Sequence, residues 1–206
     1  MAFVHKLENF MKKSLRLIAK KKRSKIVFDS LFYAKIEKNI SYCLDIIFQL
    51  NKNIEAASLY HPFNNEISPH IFIKYFMRKK IILSLPVVEM KSNLMVFKSW
   101  SPKDKLIKGP LGNMEPDKLK QIITPQIMIV PLLMFDKYLY RLGYGGGYYD
   151  KSINKFKKYF KKQEKLFITI GIAHSSQQTD IIPHESHDMK LDFIVTEKEL
   201  LSKKYL

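Results

Sequence analysis

Four of the chain's seven glycines lie in the ten residues RLGYGGGYYD, between Arg141 and Asp150. Gly143, Gly145, Gly146 and Gly147 leave the backbone bare at four of five consecutive positions. Where such a loop leads from a buried strand into a helix, exposed amides and the positive helix end can meet an anion closely. Arg141 adds a planar fork for phosphate oxygens. Asp150, in the first turn of the following helix, adds a hard oxygen of the kind magnesium takes. Together these residues describe a nucleoside triphosphate site. It is neither of the two commonest glycine fingerprints: the lysine and hydroxyl of a P-loop are missing, and Tyr148 stands where a dinucleotide loop needs glycine.

A second group of candidate ligands lies in PHESHDMKLDFIVTE, residues 183–197. Asp188 offers a second magnesium carboxylate, with Asp192 as another acidic group nearby. His184, His187, Glu185 and the more distant His174 raise zinc as an alternative. Yet HESHD is not HExxH, and no spacing fixes a third ligand, so magnesium is the reading adopted.

The elements that must position these groups follow from periodicity. Phe10, Met11, Leu15 and Ile18 repeat at helical spacing over residues 9–23, while Lys12, Arg16 and Lys20 step by four along an adjacent face. A second helix runs from the N-cap Asp29 to Leu50. Residues 54–60 read as a short buried strand, Ser68 and Pro69 as the cap and first turn of a helix over 71–80, and residues 81–88 and 94–100 as strands. KGPLGNMEP, residues 108–116, is a turn-rich loop placed before a short helix. The apolar run 127–135 reads as one buried strand, 148–162 as a helix, 166–173 as a strand and 192–196 as the last strand. Alternation of this kind predicts an α/β fold, a single compact domain over residues 1–206 with a mostly parallel central sheet flanked by helices on both faces. In such folds ligands sit beyond the C-terminal ends of the strands.

Composition narrows the partners. With 206 residues, 46% hydrophobic and 27% charged, the chain can bury a core, which excludes a disordered tail protein. A net charge of +17 suits a polyanion or a phosphorylated small molecule. The lysine runs AKKKRSK (19–25) and NKFKKYFKKQEK (154–165) read as solvated helix faces, so no obligate nucleic acid is expected. Cys43, the only cysteine, falls on the face Ile36, Ile40, Cys43, Ile47 and reads as a packed thiol. The longest apolar stretch is too short for a bilayer, no signal-peptide core stands at the start, and the expectation is a cytoplasmic protein without a membrane partner.

The glycine run, followed by IGIAHSSQQTDIIPHESHDMKLDFIVTE, resembles the 5-formyltetrahydrofolate cyclo-ligase family, also called 5,10-methenyltetrahydrofolate synthetase. The resemblance covers most of the chain: the basic helix with Lys12 and Arg16, SLYHPFNNEIS with Glu66, KKIILSLPVV, GNMEP and both C-terminal motifs. It implies a compact α/β domain, monomeric, that converts 5-formyltetrahydrofolate to 5,10-methenyltetrahydrofolate with ATP and Mg2+, releasing ADP and phosphate. By this resemblance Arg141, Tyr148 and Asp150 are catalytic. The ATP site is Lys12, Lys13, Ser14, Leu15 and Arg16 together with Arg141, Leu142, Gly143, Tyr144, Gly145, Gly146, Gly147, Tyr148 and Tyr149. Asp150 and Asp188 hold the metal. Glu66 holds the pterin, with Arg16, His61 and Tyr148 bordering the folate, and Glu115, Gln177 and Glu185 take supporting or pocket roles. Two rival readings are a nucleic-acid-binding protein using the net charge, and a family member that binds nucleotide or folate without turnover. The presence of Arg141, Asp150, Asp188 and Glu66 together argues against the last.

Overall fold

Helices α1 (Ala2–Arg23) and α2 (Ser30–Leu50) lead into strand β1 (Ala56–Ser58) in the computed structural model, which describes residues 2–90 and 94–203. Next come α3 (His70–Arg78), β2 (Ile82–Glu89), β3 (Leu94–Ser99), the hairpin β4 (Ile107–Lys108) and β5 (Met114–Glu115), and β6 (Ile122–Ile123). The second half holds β7 (Ile127–Val130), the hairpin β8 (Met134–Phe135) and β9 (Arg141–Leu142), α4 (Tyr148–Lys162), β10 (Ile168–Ile172), β11 (Phe193–Val195) and β12 (Leu200–Ser202). One eight-stranded sheet has the order β12-β11-β10-β7-β1-β2-β3-β6. The five strands from β11 to β2 run parallel, and the outer ones join antiparallel.

Period-two alternation sorts the strand side chains between two layers. Ile127 and Ile129 pack with Ile36, Cys43 and Ile47 of α2 and Phe72 and Phe76 of α3. Met128 and Val130 point the other way, toward Ile153, Phe156 and Phe160 of α4. The expected α/β sheet with helices on both faces is thus the fold observed. Asp29 caps α2 by accepting the Phe32 N–H at 2.8 Å, and Cys43 is wholly buried on its apolar face. No helix of the described residues is long and apolar enough to cross a membrane.

Several local expectations are corrected. Pro69, not Ser68, stands at the cap position of α3, and the Ser68 amide donates to the Tyr33 hydroxyl. No helix follows GNMEP: Asp117 closes a turn by accepting the Leu119 N–H, and Lys98 Nζ binds the carbonyls of Lys118 and Lys120. The run 127–135 is not one strand, because the chain leaves the sheet at Pro131 and re-enters pairing as β8 against β9. The strand at 193–195 is not the last, since β12 adds an antiparallel edge.

Helix α1 lies over the loops after β7, with Leu15 and Ala19 packed on Leu133, Met134, Leu142 and Ile182. Its inward face departs from the usual amphipathic rule by carrying charged groups beside Leu15 and Ala19. Phe10, Leu17 and Ile18 are 67%, 71% and 57% exposed, whereas Lys12 and Arg23 are 5% and 2% exposed. Arg23, read as part of a solvated lysine face, is instead a buried anchor.

Candidate functional site

A cleft of about 610 Å3 opens at the C-terminal ends of the parallel strands, where Tyr60 and His61 follow β1 and Pro131 follows β7. It is lined by Lys12 and Arg16 of α1, Glu66, the whole run 141–150, and Glu185, His187 and Asp188. A larger groove of about 1140 Å3 lies at the opposite ends of the strands, near Glu55, Gln126 and Leu166. It contains neither the glycines nor the converging charged groups.

Strand β9 delivers the chain into the glycine loop, and α4 begins where the loop ends. Gly147 occupies the N-cap of α4 at φ 68°, a left-handed conformation that side chains resist. Gly145 also has positive φ, 105°, and a Cβ there would lie 3.2 Å from Arg16 Cζ. The guanidinium of Arg16 rests on this bare backbone, its Nε donating to the Gly143 carbonyl at 3.0 Å. At Gly146 a Cβ would meet the Tyr148 ring at 2.6 Å, so glycine is what lets that ring lie over the loop.

One wall is a cation–carboxylate cluster. Lys12 Nζ donates to Asp188 Oδ2 at 2.5 Å and Glu185 Oε2 at 3.1 Å, reaching across more than 170 residues of sequence. Burial alone would raise the Asp188 pKa, but the Lys12 ammonium and the Glu185 N–H outweigh it and hold the carboxyl below its usual range. Burial alone would lower the Lys12 pKa, and the two carboxylates reverse that too, so the ammonium is held protonated. Glu185, His187 and Asp188 place one ligand atom each within 4.8 Å of one another. Two of the three donors are carboxylate oxygens of the kind a hard divalent cation takes, and in this arrangement the Lys12 ammonium sits on both. The set does not make a histidine-rich zinc site: His184 stacks on Tyr140 at 3.7 Å and His174 on Phe32 at 5.6 Å.

Asp150 and Asp188, expected as the metal pair, line the same cleft, but Asp150 is not part of that three-residue cluster. Its Oδ1 accepts from Arg141 Nη2 at 3.0 Å and from the Met189 N–H at 2.9 Å. Arg141, expected to fork onto phosphate, donates its other arm to the Met189 carbonyl at 2.9 Å, and its side chain is only 4% exposed. In this arrangement it fastens Asp150 and the 185–189 segment to the glycine loop.

The second wall centres on Glu66, whose side chain is 6% exposed. Its Oε2 accepts the Phe63 N–H at 2.9 Å, and Arg23 Nη1 lies 3.9 Å from Oε1. Burial pushes its carboxyl up to about 7, against the opposing pull of the Phe63 amide, Arg23 and Tyr144. Burial also raises the Tyr149 and Tyr144 phenols, and the nearby Glu66 charge adds to both shifts.

Not every expected residue reaches the cleft. Lys13, Ser14 and Leu15 are absent from its lining, and Leu15 packs into the cluster under α1. Leu142 does line it, but its side chain is 2% exposed among the same apolar residues. Gln177 supports from beneath, donating to the carbonyls of Leu132 and Leu133 and accepting the His174 N–H. Glu115 is 1% exposed, accepts from the Val88 N–H, and fills the space a Cβ at Gly109 would need. His61 is exposed at the rim. Sequence reading missed Arg23, for which the only signal was its i+7 spacing from Arg16.

Fold and cleft together define a class: an α/β protein with a glycine loop at a helix N-terminus, facing paired cations and carboxylates at the C-terminal edge of a parallel sheet. Residues 9–197 match the model of the 5-formyltetrahydrofolate cyclo-ligase family. A 5-formyltetrahydrofolate cyclo-ligase of Haemophilus influenzae is 30% identical over 155 residues, covering 73% of this chain and 79% of that protein. The mouse protein of the same name is 26% identical, over 71% of this chain and 75% of its own. The solution structure of 5,10-methenyltetrahydrofolate synthetase from Aquifex aeolicus superposes with a TM-score of 0.69 at 25% identity, covering 94% and 93% of the two chains. That from Mycoplasma pneumoniae gives 0.65 at 23% identity, over 90% and 98%, a likeness of fold. The chain belongs to the 5-formyltetrahydrofolate cyclo-ligase family, a family of ligases.

Proposed function

We propose that this protein converts 5-formyltetrahydrofolate to 5,10-methenyltetrahydrofolate at the cleft described, consuming ATP and releasing ADP and phosphate. The observation that carries the reading is the meeting, in one cleft, of an anion-ready glycine loop, the Lys12–Asp188–Glu185 cluster and the secluded carboxylate of Glu66. The chemistry explains the need for all three. An N5-formyl oxygen is amide-like and leaves poorly, so it must first be activated. Its attack on the γ-phosphorus of ATP breaks the bond to ADP and gives an imidate phosphate. N10 then bonds to the formyl carbon, loses its proton, and the C–O bond breaks as phosphate departs with the original formyl oxygen.

No protein nucleophile is needed, because phosphoryl transfer depends on alignment and charge neutralisation. Lys12, Arg16 and the amides of 143–147 gather the phosphates in this reading. Asp188 and Asp150, with Glu185 beside them, would hold Mg2+, which supplies charge neutralisation on the phosphates when bound. Arg141 and the Met189 amide keep Asp150 aimed. Tyr148 covers the loop, and Glu66 accepts hydrogen bonds from the pterin, with His61 at the rim. Use of ATP and a single packed thiol both suit the reducing cytoplasm.

The test is incubation of purified protein with 5-formyltetrahydrofolate, ATP and magnesium, monitoring the methenyl chromophore and ADP. Both should appear together. Folded, ATP-binding protein that yields neither would overturn the assignment. Asp150→Asn keeps an oxygen for the Met189 amide and should fold, yet lose about 100-fold or more in turnover, equivalent to roughly 3 kcal/mol. Wild-type turnover at limiting magnesium would remove Asp150 from the metal site.

A further inference from the structure

The geometry points to Arg23 as a positioning residue for the substrate half of the cleft: its guanidinium ties Glu66, the turn before it and Tyr144 of the glycine loop into one unit that keeps Glu66 competent to accept hydrogen bonds. The inference rests on the reading of this cleft as a reduced-folate site. Arg23 ends α1, and its side chain is 3% exposed. Its Nη2 donates to the Asn64 carbonyl at 2.7 Å and also to the Tyr144 hydroxyl. Its Nη1 donates to the Leu132 carbonyl at 3.3 Å and lies 3.9 Å from Glu66 Oε1.

Three loops therefore converge on one cation. The turn it holds is sharply bent: Asn64 and Asn65 are both left-handed, at φ 49° and 59°, and the Asn65 side chain returns a hydrogen bond to the Arg23 carbonyl at 2.8 Å. Only a guanidinium offers enough planar donors for two carbonyls, a hydroxyl and a nearby carboxylate at once. The Tyr144 ring lies 5.4 Å from Arg23 Cζ and 5.6 Å from Lys20 Nζ, so the glycine loop is drawn toward the same charge.

The chemical consequence falls on Glu66. A carboxylate accepts hydrogen bonds at both oxygens, while its protonated form gives up part of that capacity to an O–H. The groups facing Glu66 are Arg23 from α1, the Phe63 amide from its own turn, Tyr144 from the glycine loop, Tyr149 from α4 and Tyr60 after β1. Burial favours the protonated acid, and Arg23 is the cation that opposes it. Removing that charge should leave the folate pocket with a neutral Glu66 at neutral pH, while the phosphate-facing groups Lys12 and Arg16 are untouched.

The experiment follows the Glu66 carboxyl by 13C NMR in ligand-free wild-type, Arg23→Lys and Arg23→Met proteins, with Glu66→Gln identifying the signal. In parallel it measures equilibrium binding of 5-formyltetrahydrofolate and of ATP as a function of pH. Wild type should titrate near 7. Arg23→Met should titrate about one unit higher or more and bind the folate at least about fivefold more weakly at neutral pH. Its affinity should recover at alkaline pH, with ATP affinity within about twofold. Arg23→Lys, which keeps the charge, should stay near the wild-type midpoint. An unmoved midpoint in folded Arg23→Met, or an equal loss of folate affinity at every pH, would overturn the proposal. Should that variant not fold, Arg23→Gln decides, because its amide can still donate to a backbone carbonyl that Arg23 holds while the charge facing Glu66 is gone. It should raise the Glu66 midpoint in the same direction, and no movement would count against the unit. A midpoint that shifts in protein showing no folate binding at all would uphold Arg23 and remove the function proposed for the cleft.

Discussion

Glu66 links the cleft to the stability of the fold. Its carboxyl is lifted by burial from 4.5 to about 7. Below about 4.5 it is protonated in folded and unfolded chains alike. Between 4.5 and about 7 only the unfolded chain gives up the proton, so stability falls across that window as pH rises and levels off above it. The span corresponds to roughly 3 kcal/mol. Glu66→Gln keeps an acceptor for the Phe63 amide but cannot ionise. Ligand-free Glu66→Gln is therefore expected to be more stable than wild type by roughly 2–3 kcal/mol at pH 7.5, and equal to it near pH 4. Denaturant melts at the two pH values check this, and a difference that does not change with pH would show that the carboxyl is not strained by burial. Under the proposed function, a substrate that donates hydrogen bonds to Glu66 would relieve the same cost, so a buried acid held at the expense of stability would serve recognition.

At the scale of elements, the glycine loop separates conformational need from ligand need. Gly146 is set by the folded chain itself, because a Cβ there would push against the Tyr148 ring at 2.6 Å. Nothing lies within 4 Å of a Cβ built at Gly143. Gly143→Ala should thus leave the melting temperature unchanged but weaken ATP about tenfold if phosphates approach the backbone there. Gly146→Ala should displace Tyr148 and lower turnover in parallel with a modest loss of stability. Thermal melts and ATP titrations on both variants check the pair, and equal ATP affinity in Gly143→Ala would place the phosphates elsewhere. The loop itself was legible in sequence, since four glycines between a strand and a helix have few uses. The orientation of α1 was not. Its apolar residues invite burial by periodicity, yet the inward face carries Lys12, Arg16 and Arg23. Their partners, Asp188, the Gly143 carbonyl and the Asn64 carbonyl, lie 41 to 176 residues away, and no local pattern reports such pairings. Pro131 is a different case: its type is visible in the sequence, yet the run 127–135 reads as one strand, and only the structure shows it sending the chain from the sheet into the β8–β9 hairpin carrying Arg141.

For the molecule as a whole, a net charge of +17 acts on every anion that approaches, and both proposed substrates are anionic. The field raises encounter rates at low ionic strength and is screened within about 8 Å at physiological salt. It does not change the alignment of groups already held within the cleft. Sodium chloride raised from about 20 to 200 mM is therefore expected to lower kcat/KM several-fold while leaving kcat within about twofold. Steady-state kinetics at fixed pH measure both. A kcat that falls in parallel would place the salt-sensitive step inside the site, at partly buried pairs such as Lys12 with Asp188. A protein built instead to hold nucleic acid would show tight duplex binding at low salt that collapses as a high power of salt concentration. In the enzyme reading that binding is weak, and adding duplex at low salt leaves turnover unchanged because the cations that matter, Lys12, Arg16 and Arg23, are turned inward and already paired.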